Sequence, residues 1–420
     1  MLTELKKTAD AVVIGGGVHG LSTALHLAKR GMKKVVLLEK RYLGSGATEW
    51  SNARVIPQHG TEEMLKITSK CLEIFNNFDE TIGGGGDPQN IQTGRIWSGS
   101  EERVADMKSA AADHERWGAK ISFLSREDLK EIWPGEINVE DLAIAINYEE
   151  TSYCNPMATV NAFATRARQF GAIIYEDTEV TGIKVAGGKI TSVVTNQGEI
   201  ATPVVVNAAG LWSDRIGRMA GVDIPIKVIR QEVTFFHPPW DFSPVIPQLH
   251  DTVYEVVYGP DRSGLINVYD RYQVAQEKLT DPDTDNHEAA QESVTLNRKM
   301  MIPRFPAMAR ASFRGGPTGA YDMTPDSAPM LGVVPEVEGF YLDCGWSGDG
   351  FMTSPLMGDM IAELIITGRT TFIDISRFDL GRFARGEFLV GPWYSPDADV
   401  AEKLNQRRVN LSLPDWMTQG

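Results

Sequence analysis

Residues 12–20 of the chain read VVIGGGVHG, and Gly15, Gly17 and Gly20 fall in the spacing G-x-G-x-x-G. The stretch AVVIG from Ala11 is the apolar, β-branched run of a strand buried on both faces. The residues after the glycines, LSTALHLAKRG, put Leu21, Leu25 and Ala28 on one helical face and end at Gly31, a natural C-cap. KVVLLEK from Lys34 then reads as a second buried strand. Strand, glycine turn, helix and strand in this order form a dinucleotide-binding unit. Gly15 permits the turn, Gly17 lets a pyrophosphate approach the backbone, and Gly20 lets helix and strand pack closely. The helix start offers free N–H groups and the positive end of its dipole to the anion. Glu39 closes the second strand, where a carboxylate accepts ribose hydroxyls and repels a 2′-phosphate, which disfavours NADP. An isolated glycine motif is also compatible with a plain tight turn, and the unit leaves NAD and FAD open.

Composition bounds the rest. The 420 residues are 42% hydrophobic and 23% charged, enough for a substantial core in two domains. Lys plus Arg total 41 against 56 Asp plus Glu, a net charge of −15, which argues against a nucleic-acid partner. Cys71, Cys154 and Cys344 are widely spaced with no C-x-x-C, so neither a metal site nor a disulfide framework is expected, and a reducing compartment fits. The start MLTELKKTAD lacks a signal-peptide core and no apolar run reaches membrane-spanning length, so a cytoplasmic location is expected.

Two later segments speak to the cofactor. ATPVVVNAAGLWSD (201–214) is a buried strand leading through small residues into a helix start. GFYLDCGWSGDGFMTSPLMGDMIAELIITG (339–368) repeats strand, glycine loop and helix, the helix expected from about Pro355 to Gly368. Nucleotide-domain material at the beginning, middle and end suits a large flavin nucleotide better than NAD. Between them, RQEVTFFHPP, TVYEVVYGP and GLINVYDRYQVAQ alternate with a period near two, as antiparallel strands with one covered face do. VADMKSAAADHERWGAK (104–120) reads as a polar amphipathic helix without chemistry.

Through VVIGGGVHG, LEKRYLGSGAT, NAAGLWSD, TPDSAPMLG and CGWSGDGFMTSPLMG, the chain resembles the D-amino-acid-oxidase-like family of FAD oxidoreductases. Within it the pattern is most similar to sarcosine oxidase β subunits and dimethylglycine dehydrogenase-like enzymes. The resemblance implies an α/β fold in two domains: a discontinuous Rossmann-like FAD-binding domain and an antiparallel-sheet substrate domain. The first would comprise residues 1–83, 151–221 and 323–390, the second 84–150 and 222–322, with 391–420 a C-terminal tail. It implies flavin-linked oxidation of the C–N bond of a secondary or tertiary amine, an N-methyl amino acid such as sarcosine or a relative. Oxygen or another acceptor would take the electrons, in a homo- or hetero-oligomer. A 2-hydroxy-acid or D-amino-acid dehydrogenase, or a flavin-retaining subunit of a larger complex, stands as the alternative.

The same resemblance extends the cofactor contacts. Beyond Gly15, Gly17, Gly20 and Glu39 they include Val18, His19, Lys40, Gly46, Ala47, Thr48, Ser51, Val180, Ala209, Gly210 and Trp212. Around the ring they include Gly348, Asp349, Gly350, Phe351, Met352 and Thr353, where glycines let backbone N–H groups approach the pyrimidine edge. Arg54 matches an arginine beside the flavin, against a reading as solvated surface. His59 is either a titrating site residue or structural. Tyr254, Tyr258 and Tyr269 either wall a substrate pocket or pack a core, and Arg314 matches a family arginine near the site. Two carboxylate anchors of the family are missing, Pro57 and Met352 standing in their places, so either Arg271 or Arg314 takes that role or the substrate is not simple sarcosine. The family's covalent tethers fall at Gly319 and Ser51, and the strand pattern buries Cys344, so FAD is expected to bind without a covalent bond.

Overall fold

A computed structural model describes residues 4–389, apart from 134–136, 241–245, 255, 261–264, 271–278 and 317. Its organising layer is a six-stranded sheet in the order Met330–Val333, Phe340–Cys344, Val205–Asn207, β1 (Ala11–Ile14), β2 (Val35–Leu38), Ile173–Tyr175. Only Met330–Val333 runs antiparallel to its neighbour. Every residue of β1 and β2 is buried, which explains why neither strand alternates in sequence. Strands from three distant parts of the chain thus share one sheet.

The first helix, α1, spans Val18–Lys29, and Gly31 follows at φ 100°. The expected single apolar face understates its burial. Val18 through Ala28 are all buried, because α1 lies between the sheet and the helices Pro156–Gln169 and Gly350–Thr367. The expected helix start at Pro355 is also corrected: that helix begins at Gly350 and holds Pro355 inside it. Proline removes the N–H that the Phe351 carbonyl would receive, and the Ser354 hydroxyl donates to that carbonyl instead at 2.9 Å.

The segments with period two form the other large layer. Eight strands run in the order Ser312–Phe313, Thr234–His237, Ile266–Asp270, Val256–Pro260, Gln248–Asp251, Arg95–Gly99, Ile144–Tyr148, Ile121–Phe123. All pairs are antiparallel except Gln248–Asp251 with Arg95–Gly99. The helix Gln291–Met301 covers one face, and beyond it the buried Arg304 is held by Asp251 at 2.7 Å and Asp141 at 2.6 Å. Lys227–Glu232 and Thr318–Met323 form a separate two-stranded ribbon. The opposite face of the large layer looks across a cleft to the C-terminal ends of the six-stranded sheet. Among the described residues no helix is long and apolar enough to cross a membrane.

Helix α1 and the helix Gly350–Thr367 touch through Gly358, where an added Cβ would lie 2.3 Å from Ser22 Oγ and 2.5 Å from Ser22 backbone carbon. Helix propensity alone favours Gly358→Ala by about 1 kcal/mol. Overpacking at a backbone contact costs about 1–3 kcal/mol and wins. Gly358→Ala is therefore expected to lower the urea midpoint of unfolding, and a raised midpoint would contradict this packing.

Candidate active site

The glycine loop sits where β1 ends. Gly15 has φ 112°, a conformation open to glycine, and a Cβ there would lie 2.3 Å from the Ala208 carbonyl oxygen. Gly20 packs so closely below the loop that a Cβ would meet the Gly15 carbonyl oxygen at 2.0 Å. Gly17 gives α1 no N-cap side chain, and although the Val18 N–H donates to Thr48 Oγ1 at 3.3 Å, the helix start and its dipole face a cavity of about 1370 Å³. Glu39 Oε2 accepts from the Gly16 N–H at 2.7 Å, and Oε1 accepts from the Arg41 N–H at 2.8 Å. The carboxylate thus pins the loop while standing at its expected place beside the cavity.

Most of the expected cofactor contacts line this one cavity: Gly15, Gly17, Val18, His19, Glu39, Lys40, Gly46, Ala47, Thr48, Ser51 and Val180. Ala209, Gly210, Trp212, Gly348, Asp349, Gly350, Phe351 and Met352 line it too. Gly20 and Thr353 support it from behind, the Thr353 hydroxyl bonding back to the Asp349 carbonyl at 3.1 Å. The His19 ring turns inward, with Nδ1 2.8 Å from Asp343 and Nε2 2.7 Å from the Gly350 carbonyl. It bridges α1 to the second glycine loop. At the far mouth Lys40 Nζ lies 4.0 Å above the Trp212 ring. Asp283 joins Lys40 at 2.5 Å, accepts from Trp212 Nε1 at 2.9 Å and pairs with Arg215. A strap from beyond the two-stranded ribbon thereby closes over this end.

The donor set fits a flavin dinucleotide. A helix start pointed at the cavity and a glycine cradle suit the pyrophosphate. At the opposite end residues 347–350 and the start of the helix Gly350–Thr367 form a second concave turn, with Ser347 held at φ 52° and its Oγ accepting from the Thr324 N–H at 3.2 Å. No described cysteine lines the cavity. Gly319 has no nucleophile, and burial pushes the Cys344 thiol well above its usual range.

The expected catalytic residues divide. Arg54 and Tyr269 face the cavity. Arg54 is buried, its guanidinium 4.6 Å from the Tyr153 ring centroid and packed on Gly259. His59 faces the cavity too, but its Nδ1 accepts from the Gly60 N–H at 3.1 Å, which leaves the proton on Nε2 to donate to Asp349 at 2.8 Å. It positions the second glycine loop. Tyr254 is corrected and Tyr258 takes its core alternative: neither lines the cavity. Tyr258 pairs with Leu249 and Val268, so it shares their core face, where it packs edge-on against Phe305. Tyr254 stands over Arg304 at 5.2 Å. Arg314 is exposed beyond the edge strand Ser312–Phe313 and does not line the cavity. Arg271 and the tail at 391–420 lie outside the described residues.

Several lining residues escaped the sequence. The helix read as inert, Val104–Arg116, carries His114 to the wall. Its Nε2–H donates to the His59 carbonyl at 3.0 Å, and its Nδ1 accepts from the Tyr148 hydroxyl at 2.7 Å. Arg95, Trp97, Arg103 and His250 also line the cavity. A signal did exist, since Arg95 and Trp97 are two apart on a strand and must share a face.

Comparisons with known proteins agree with this geometry. A family model described as FAD dependent oxidoreductase matches residues 10–364. Mitochondrial sarcosine dehydrogenase of Homo sapiens is 30% identical over 90% of this chain, which spans 42% of that protein's length. Sarcosine oxidase subunit beta of Rhodobacter capsulatus is 24% identical over 92% of this chain and 91% of its own. The crystal structure of L-proline dehydrogenase from P. horikoshii superposes with a TM-score of 0.83 at 29% identity, covering 91% of this chain and all of that one.

His114 yields a pH dependence. Its side chain is only 2% exposed, and burial pushes its pKa down from 6.5 to about 4. Between those values the unfolded chain takes up a proton that the folded chain refuses, so stability falls as pH drops through this window. The slope is at most about 1.4 kcal/mol per pH unit. Urea titrations at stepped pH should show the loss, and His114→Gln should flatten it; an unchanged slope in the variant would exclude His114 as its source.

Proposed function

The chain belongs to the FAD dependent oxidoreductase family, and from that premise we propose that it oxidises the C–N bond of a secondary or tertiary amine, an N-substituted amino acid such as sarcosine or a relative. The carrying observation is the inner end of the cleft. Arg54 is buried beside Tyr153 and Gly259, in the same cavity as Tyr269 and the loop 347–352. A buried guanidinium takes a substrate carboxylate through charge-assisted hydrogen bonds of about 1.5–3 kcal/mol each. Bound FAD supplies the acceptor for the hydride lost from the carbon next to nitrogen.

The chain's own residues do the rest. Tyr269, Trp97 and Tyr321 wall the cavity, restrict the substrate to few orientations and displace water. The cationic surroundings disfavour an ammonium group, so the amine binds with its lone pair free to assist loss of the hydride. His59 and Asp349 fix the second glycine loop, and the helix start behind it favours negative charge at that end. The resulting imine hydrolyses to an aldehyde or keto acid and an amine. The cavity lining, free of cysteine among the described residues, supports a cofactor held without a covalent bond. At the level of assembly, a relative named as a subunit and relatives more than twice as long support work alongside further polypeptide.

Anaerobic mixing tests the reaction. N-methyl amino acids are expected to bleach the flavin, at a rate that rises with pH along one ionisation of the bound substrate. Bleaching by 2-hydroxy acids alone, flat between about pH 6 and 10, would move the reading to C–O oxidation. Acid precipitation tests the attachment: the yellow colour should stay in the supernatant, and a coloured pellet would show a covalent link.

A further inference from the structure

We propose that the cleft contains a second anion subsite, built on the strands Arg95–Gly99 and Gln248–Asp251, which selects amines carrying a second carboxylate on the side chain or the nitrogen substituent. The proposal rests on the amine reading above and names its substrate class. The two strands pair in register, Gln248 with Arg95 and His250 with Trp97. Arg95 donates to His250 Nδ1 at 3.0 Å, which leaves the ring proton on Nε2, and the Trp97 ring stacks 6.4 Å from His250. Trp97 is only 6% exposed, yet its indole N–H has no hydrogen-bond partner among the described residues. Arg103 lines the same wall with a buried Nε that also has none. Buried donors left unpaired are costly, and these sit on a cavity wall beside a guanidinium. Their common complement is an anion.

No described carboxylate that lines the cavity belongs to these two strands. Glu39 holds Gly16, Asp322 holds the Gly345 and Trp346 N–H groups, and Asp343 holds His19. Asp349 holds His59, and Glu179 stands beside Val180 near the mouth. The subsite is also distinct from Arg54. Continuing the register of Leu249 with Tyr258 sets Gly259, under Arg54, beside Gln248, which pairs with Arg95. Two strand spacings, about 10 Å, separate the Gly259 and Arg95 backbones. Between them the fully buried Gln248 amide has no hydrogen-bond partner for its nitrogen or its oxygen among the described residues. One carboxylate does not span that wall, whereas an amine with two does.

Anaerobic titration of the holoprotein reads the site directly. Sarcosine and N-methylproline serve as monocarboxylates, N-methylglutamate and iminodiacetate as dicarboxylates. The dicarboxylates are expected to show an apparent Kd for flavin reduction at least tenfold lower. Arg103→Gln should shrink that ratio to within threefold, and Arg103→Lys should restore part of it, which separates lost charge from lost folding. A ratio near one in the unaltered protein, or an equal loss for both classes in Arg103→Gln, would overturn the subsite. Perturbation of the flavin spectrum by glutarate against butyrate keeps the two readings apart. If no amine bleaches the flavin but glutarate binds tenfold better and loses that advantage in Arg103→Gln, the subsite stands and the amine chemistry falls.

Discussion

The packing of α1 against the helix Gly350–Thr367 fixes both ends of the cleft at once. Each helix follows a glycine loop at the C-terminal end of a strand in the same sheet, and each points its N-terminus at the cavity. Gly358 lets the helices approach at Ser22, and His19 locks them, its two ring nitrogens facing the Asp343 carboxylate and the Gly350 carbonyl. The ring also stacks on Trp346 at 4.3 Å. Residues more than 300 apart in sequence are therefore set within one hydrogen bond of each other. Two helix dipoles converge as a consequence, and a long anionic cofactor meets both without reorganisation of the protein.

Charge is sorted across the cavity. The carboxylates belong to the nucleotide side, where backbone N–H groups and His19 hold them in place. The guanidinium groups of Arg54, Arg95 and Arg103 belong to the inner end and the sheet opposite. This separation sets a field that favours negative over positive charge at the inner end of the cleft. At the mouth, Asp283 joins Lys40, Trp212 and Arg215 and so ties the strap to the nucleotide-binding sheet.

The nucleotide half was legible because its chemistry is local. Gly15, Gly20 and Glu39 do their work within a single βαβ unit, and the backbone conformations they permit leave a spacing that survives in any context. The inner end was far less legible. Tyr258 and Tyr269 look alike in sequence, but strand alternation and register send one to the core beside Phe305 and the other to the cleft. Arg314 carries the right charge and ends exposed on an edge, while His114 sat in a helix read as without chemistry.

The sequence by itself determined the β-branched buried strands, the glycine turns, the acid that closes β2 and a family whose cofactor is FAD. Those features depend on neighbours a few residues away, so short-range spacing encodes them. Only the tertiary structure decided which cations face the cavity, which tyrosines are core, and that both nitrogens of His59 are already engaged. These are consequences of register between strands about 150 residues apart, such as Arg95 beside Gln248 and Trp97 beside His250. A one-residue slip in that pairing would turn every side chain to the opposite face, and no local pattern in the chain records it.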